Sequence, residues 1–409
     1  MWNIYPKNIL IEIYHRLYRL LSEFRSLIVY FIVDTFYINR GFSTSNVDNK
    51  RIMIFKVDAI GDMILWLPAS KRIRKHYKDC HITLVCLDTN KELAKSLNYF
   101  DEVIGINSRS FCRSIFYRIS ILKLISRLPT YLAIHPHYSR SFILGDSLVR
   151  ACLAKEKIGF EGDVYLSSSL QKYISNRNYT KLIPYSGKKL MELELNAKFL
   201  EGLGLNSIVP RVATLPILLT LPDQLVIKEP YFIIFPGAST RYRMWSVENF
   251  ASVAKLVIER FNWRTVICGG PSEHEISSQL FDLIGVPNSF NLTGKTSLPE
   301  LVEIIRNSKL LIGNETSAVH IAAAVNTPSV CVLGGGHFNR FMPYPETVKG
   351  MKPVPVFHPM DCYFCDWHCK LTRERTKPYP CIQNIDVNSV MNAVGKALQA
   401  SSIENLDLR

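Results

Sequence analysis

The sequence predicts an α/β protein of two doubly wound, Rossmann-like domains behind an amphipathic helical extension. Three observations carry this reading. Short apolar runs alternate with helical segments along most of residues 50–409, the pattern of a parallel sheet with right-handed crossovers. The alternation loosens once, at Pro210, Pro216, Pro222 and Pro230, and then restarts. A chain of 409 residues, 47% hydrophobic and 21% charged, is also too long for one ordinary core and ample for two.

In order, Arg51–Val57 (RIMIFKV) reads as a buried strand, Met63–His76 as a helix and Ile82–Leu87 as a strand. Lys91–Leu97 reads as a short helix, Glu102–Ile106 as a strand, Phe111–Leu128 as one basic helix, and Tyr131–His135 and Lys157–Phe160 as strands. Past the prolines, Tyr231–Phe235, Arg264–Cys268, Lys309–Ile312 and Ser329–Leu333 are strands. Between and after them, Val247–Phe261, Glu273–Ile284, Leu298–Asn307, Ala318–Val325 and Val387–Leu398 are helices. The expected division is residues 1–49 for the extension, 50–215 for the first domain and 216–409 for the second. The second includes a cysteine-rich segment over 358–382 and a C-terminal helix.

Residues 10–38 are rich in Leu, Ile, Tyr and Phe but are punctuated by Glu12, His15, Arg16, Arg19, Glu23, Arg25 and Asp34. Their longest uncharged run, Ser26–Val33, is far short of the ~20 apolar residues a spanning helix needs. The segment fits an amphipathic helix lying in the headgroup region or one packed on the protein's own surface. The net charge of +14 favours anionic partners such as phosphorylated sugars, acidic lipids or nucleic acid. No zinc-finger, helix-turn-helix or RNA-binding signature accompanies it, so nucleic acid is not an expected partner. Ten cysteines without even spacing, and no cleavable leader pattern, point to a reducing, cytoplasmic setting.

Three stretches carry chemistry. Gly61-Asp62 follows the first strand; the glycine lets backbone approach a ligand, while position alone favours a helix-capping role for Asp62. Phe235-Pro236-Gly237-Ala238-Ser239-Thr240-Arg241-Tyr242-Arg243 leaves the first strand of the second domain as a small-residue turn with two arginines. Its N–H groups, hydroxyls and guanidinium suit a diphosphate. Gly313-Asn314-Glu315-Thr316-Ser317-Ala318-Val319-His320 again runs from strand to helix. Thr316 and Ser317 would meet a phosphate at the helix N-terminus, with His320 one turn in, where a histidine is more often structural. Gly334-Gly335-Gly336 would admit a ligand closely, but it has neither dinucleotide nor Walker spacing.

Taken together and in order, these stretches resemble glycosyltransferase family nine, the ADP-heptose:lipopolysaccharide heptosyltransferases. The resemblance rests on Ala59-Ile60-Gly61-Asp62 through Leu67-Pro68, Pro236-Gly237-Ala238, Arg243-Met244-Trp245 and Gly269-Gly270-Pro271. It continues over Gly313–His320 with Ala322-Ala323-Ala324 and Thr327-Pro328. It implies a GT-B fold, two Rossmann-like domains facing a cleft, with the acceptor on the N-terminal side, near Gly61, and the nucleotide sugar on the C-terminal side. Asp62 matches the family's catalytic aspartate. Arg243, where the family has lysine, would bind phosphate with Ser239, Thr240, Glu315, Thr316, Ser317, His320 and Gly335. The implied reaction is inverting and needs no divalent metal. Its donor is ADP-heptose or another nucleotide sugar, and its acceptor is a lipopolysaccharide-core or other cell-surface glycan. The expected place of work is the inner face of the plasma membrane. The alternative is a non-catalytic binder of nucleotide sugar or glycan on the same fold. Glu315 for aspartate, Ser317 for glycine, Phe235 for histidine and Gly334–Gly336 for a G-P-T-D-P stretch depart from the family pattern.

Cys362, Cys365, Cys369 and Cys381 lie within twenty residues. Four thiols at such spacing can hold a tetrahedral zinc, and the resemblance assigns such a segment a structural role. The other reading is a set of reduced, partly buried thiols.

Overall fold

The computed structural model describes residues 21–35, 50–185, 187, 189–205, 208–285, 287 and 289–407. The flanks of the helix expected over residues 10–38 lie outside these.

The chain forms two compact units, each built on a six-stranded parallel sheet. In the first, β1 (Arg51–Lys56), β2 (His81–Leu87), β3 (Glu102–Ile106), β4 (Leu132–His135), β5 (Glu156–Phe160) and β6 (Lys181–Ile183) lie in the order β3-β2-β1-β4-β5-β6. In the second, β7 (Tyr231–Phe235), β8 (Arg264–Ile267), β9 (Ser289–Asn291), β10 (Leu311–Asn314), β11 (Ser329–Val332) and β12 (Val354–Val356) lie in the order β12-β11-β10-β7-β8-β9. Read from β9, the second order repeats the first. Each sheet therefore has one point where the strand order reverses, between β1 and β4 and between β7 and β10. Ligands of doubly wound sheets collect at such points.

The helices used below are α1 (Ile60–His76), α2 (Ile115–Arg127), α3 (Ser169–Asn176), α4 (Glu192–Gly202), α5 (Val247–Phe261), α6 (Ser317–Ala324) and α7 (Val387–Asp407). Strands β7 and β10 are buried at every residue, as parallel strands covered on both faces must be. Val253, Ala254 and Val257 of α5 and Val390 and Val394 of α7 pack in one core with Phe232, Ile234, Ile312 and Val330.

α1 follows β1 in sequence but belongs to the second unit, which gathers residues 59–76, 92–97 and 187–409. Its apolar face, Met63, Ile64, Trp66 and Leu67, is buried. Trp66 meets Phe199 of α4 edge-on at 6.0 Å, and Asn196 donates to the Leu65 carbonyl at 3.1 Å.

Several elements differ from the sequence expectation: the last helix runs on to Asp407, the one expected over Lys91–Leu97 spans Asp88–Lys95, and two further differences have local causes. The helix expected over Phe111–Leu128 is broken at Ser114, which is extended (φ −103°, ψ 115°) and caps α2 through the Tyr117 N–H. A serine hydroxyl that satisfies a free helix N–H competes with helix continuation. The strand expected at Lys309–Ile312 is shifted to Leu311–Asn314 by its pairing with Ile233–Phe235 and Ser329–Val332, so Gly313 and Asn314 are sheet residues. Helices α3 and α4 and strands β6, β9 and β12 are not among the elements expected from the sequence.

Residues 21–35 form a helical segment of the first unit, π-helical over Val29–Asp34. It is bound through its polar side. Asp34 pairs with Arg118 through both carboxylate oxygens at 2.7 Å, and both side chains are buried. Arg118 also bonds Ser147 at 2.7 Å, and Ser26 accepts from Gln171 at 2.7 Å. Leu21, Phe24, Phe31 and Ile32 face outward, each more than half exposed. Among the described residues no helix is long and apolar enough to cross a membrane.

Candidate active site

The switch point of the second sheet gathers two of the three sequence stretches. β7 runs out into Pro236–Arg243 and β10 into Glu315–Ser317. Asn314 staples the two loops together: its amide donates to the Pro236 carbonyl at 2.7 Å, and its side-chain oxygen accepts the Trp245 N–H at 2.9 Å. Asn314 is fully buried. It was not among the expected site residues, although its place between Gly313 and Glu315 was the available signal.

Arg243 lies at the centre of this surface. It donates to Ser239 Oγ at 3.1 Å and to Glu315 Oε2 at 3.3 Å. Thr316 caps α6 with its backbone extended and makes no side-chain capping bond. Thr240 Oγ1, Arg243 Nε, Glu315 Oε1 and Thr316 Oγ1 are buried with no hydrogen-bond partner among the described residues. Buried polar atoms are normally paired because burying one unmet costs about 1–3 kcal/mol. Three of them, the Thr240 and Thr316 hydroxyls and the Arg243 Nε–H, are donors beside the positive end of a helix and make a seat for an anion with many oxygens, to which Glu315 Oε1 can donate only when protonated.

The third stretch joins them within the same unit. The N-termini of α1 and α6 abut: a Cβ added to Gly61 would lie 3.2 Å from His320 Cδ2 and 3.7 Å from Ser317 Cα. The glycine permits this approach. Asp62 follows it in the first turn of α1, half-buried. Its negative charge helps raise Glu315, so the two carboxylates share one field.

Burial pushes Glu315 up to about 7, partly offset by the charge of Arg243 and the hydrogen bond from it. Burial drives His320 down to about 4, so the ring is neutral near pH 7. Its Nδ1 meets the Tyr344 hydroxyl at 2.7 Å and its edge bears on Gly61. His320 is thus placed to hold α1 against α6. At Gly335 the close approach is made by Tyr363 of the same chain, whose ring would lie 2.3 Å from an added Cβ.

Cys362, Cys365, Cys369 and Cys381 line one small cavity with Tyr363 and Trp367. Burial raises the Cys365 and Cys381 thiols, and their cysteine neighbours add to it. Among the described residues no group of three or more His, Cys, Asp or Glu side chains is arranged to hold a metal ion. As placed, the four thiols do not form a ligand set, and no chemical step is assigned to a metal there.

The first unit carries a buried polar cluster that sequence pattern did not reveal. Lys56 is fully buried and pairs with Asp58 at 2.6 Å. His135 Nδ1 meets the Tyr179 hydroxyl at 2.5 Å, and that hydroxyl donates to Asp146 at 2.7 Å. Burial drives His135 and His137 well below the usual histidine range.

Residues 191–353 match the family described as glycosyltransferase family 9 (heptosyltransferase). The protein is heptosyltransferase-like, similar to the glycosyltransferases of family 9. It is 24% identical over 320 residues to lipopolysaccharide heptosyltransferase 3 of Escherichia coli strain K12, covering 74% of this chain and 89% of the relative. The solved family 9 glycosyl transferase of Veillonella parvula superposes with a TM-score of 0.65 at 20% identity, over 88% of this chain and 100% of that one. E. coli heptosyltransferase WaaC, solved with ADP-2-deoxy-2-fluoro heptose, gives a TM-score of 0.62 at 15% identity, over 85% and 99%. These likenesses establish the GT-B fold of this glycosyltransferase.

Proposed function

We propose that this glycosyltransferase moves heptose from ADP-heptose to a hydroxyl of a lipopolysaccharide-core or related cell-surface glycan, with inversion at the anomeric carbon. One observation carries the reading. The unpartnered atoms of Thr240, Arg243, Glu315 and Thr316 converge beside the N-terminus of α6, and that helix end abuts the one bearing Asp62. The names of the relatives supply the sugar and the nucleotide.

In the proposed reaction the Asp62 carboxylate accepts the proton of the acceptor hydroxyl as its oxygen attacks the anomeric carbon from the face opposite the diphosphate. The bond from that carbon to the diphosphate oxygen breaks, and ADP leaves with the electron pair. Arg243, the hydroxyls of Ser239, Thr240 and Thr316, and the first N–H groups of α6 stabilise the growing negative charge. Cationic and N–H donors in this role supply what a divalent ion supplies in other transferases, and the reaction is read as metal-independent.

The test measures ADP release from ADP-heptose with a core acceptor. Asp62→Asn should lower kcat at least 100-fold, within the range for loss of a positioned base, while ADP still binds within about threefold of wild type. Full activity in Asp62→Asn would end the assignment of the base.

The place of work is proposed to be the inner face of the plasma membrane, bound from outside rather than spanning it. The support is the inverted segment over residues 21–35. It buries Ser26, Tyr30 and Asp34 and presents Phe24, Phe31 and Ile32. Ile115 and Phe116 are also exposed on the helix carrying its Arg118 anchor. Apolar side chains with nearby Arg25 and Arg113 suit an anionic headgroup layer.

A further inference from the structure

We propose that Trp367, on the cysteine-bearing loop, is a positioning residue for Arg243 and thereby sets how the donor diphosphate is held. This rests on the donor-site reading above. The Arg243 guanidinium lies over the Trp367 ring, 4.7 Å from its centroid. With Ser239 and Glu315 bonding its N–H groups, the guanidinium is fixed on one face and one edge, and Nε is buried without a hydrogen-bond partner. A planar cation can stack on an aromatic face in this way; an ammonium, as a point charge, gains no fixed orientation from it. The arginine that replaces the family's lysine and the tryptophan beneath it form a matched pair.

The ring is itself held hard in place. Trp367 is 8% exposed and packs against Tyr242 at 6.1 Å and, edge-on, against His337 at 6.0 Å. Below it run Gly334, Gly335 and Gly336, none of which has a positive φ. Their lack of side chains serves space. A Cβ on Gly336 would lie 2.3 Å from the Trp367 ring, and one on Gly334 2.6 Å from it. The triple glycine is a slot for aromatic rings of this chain. The loop is tied to it by the Phe364 N–H to the Gly335 carbonyl at 2.8 Å and the Asp366 N–H to the Gly336 carbonyl at 3.0 Å. Phe364, Asp366 and Trp367 all have positive φ (66°, 48° and 62°), a strained state for non-glycine residues that persists only where the surroundings enforce it. The departures from the family pattern at Arg243 and at Gly334–Gly336 thus have one cause, the ring wedged between them.

Without the ring, the guanidinium is free to turn fully onto Glu315, which then competes with the diphosphate. Trp367→Leu should weaken ADP binding about tenfold and raise donor KM by a similar factor, the scale of a desolvated cation–π contact, with kcat changed by less than about threefold. Trp367→Phe keeps a ring in the slot and should restore ADP affinity to within about threefold. In an Arg243→Lys background, Trp367→Leu should cost less than about twofold more, because the stacking partner is already gone. Calorimetric titration with ADP, kinetics and melting temperature are measured on the same samples. A lower melting temperature with unchanged ADP affinity and KM in both Trp367 variants, or additive losses in the double variant, would show that Trp367 only fills space. If the wild-type protein binds no ADP, the donor-site reading itself fails, a separate outcome from normal wild-type binding with indifferent Trp367 variants. Should Trp367→Leu not fold, Trp367→Met, which fills the slot without a ring, is compared in the wild-type and Arg243→Lys backgrounds, and a loss of ADP affinity under about twofold in the former overturns the proposal.

Discussion

Nucleotide binding should draw a proton from solution, and Glu315 should be the group that takes it. Free Glu315 sits at about 7, raised by burial and held down chiefly by Arg243. A diphosphate on Arg243 adds negative charge nearby and diverts the cation, and both effects favour the neutral carboxyl. One unit charge about 6 Å away at an effective dielectric of about 20 contributes about 3 kcal/mol, or about two pKa units. At pH 8 Glu315 would then pass from about one-tenth protonated to about nine-tenths, an uptake of about 0.8 proton per ADP. Because the bound state has the higher pKa, affinity is full well below pH 7 and falls about fivefold per pH unit as pH rises from about 7 to about 9. Calorimetry at pH 8 in two buffers of different ionisation enthalpy reads the proton count directly. Glu315→Gln should reduce it to near zero and flatten the pH dependence. Zero uptake in the wild type at pH 8, or the same uptake in the glutamine variant, refutes the reasoning. The same shift bears on stability. The folded value lies above the ordinary 4.5, so this contribution is fully present below about pH 4.5 and lost as pH rises to about 7, at a cost of about 3 kcal/mol.

Asp34→Ala leaves Arg118 buried and uncompensated, which should cost about 3–5 kcal/mol and lower the melting temperature by about 5–10 °C; a shift under about 1 °C counts against the anchor. Phe31→Asp, on the outward side of the same segment, should leave the melting temperature within about 2 °C. It should at least halve sedimentation with vesicles containing anionic lipid, and undiminished sedimentation would remove this surface from the membrane reading. Because Cys362, Cys365, Cys369 and Cys381 do not form a ligand set as placed, elemental analysis of protein purified without chelator should find well under one zinc per chain. A ratio near one would show that these thiols close on a metal.

Much of this protein is legible in its sequence because each signal is local. Strand β3 and helix α5 appear at the residues predicted, since apolar periodicity and a serine cap need no distant partner. The ordered motifs at Gly61-Asp62, Ser239–Arg243 and Glu315–Ser317 carry the resemblance to the family, because close backbone approach, helix N-termini and a cation are each encoded by residue type. What depends on partners far along the chain needed the tertiary structure. The register of β10 is set by β7 and β11, and pairing outweighs the propensity of Lys309 and Leu310. Residues 59–76 join the second unit because Trp66 finds Phe199 and Gly61 finds His320. The polarity of residues 21–35 is inverted because Arg118 and Gln171, both more than 80 residues away, offer its polar side better partners than water. Composition names the groups a chain can use; only the folded arrangement decides that Asn314 staples two loops, that a ring fills the triple-glycine slot, and that burial moves Glu315 into the range where it can titrate.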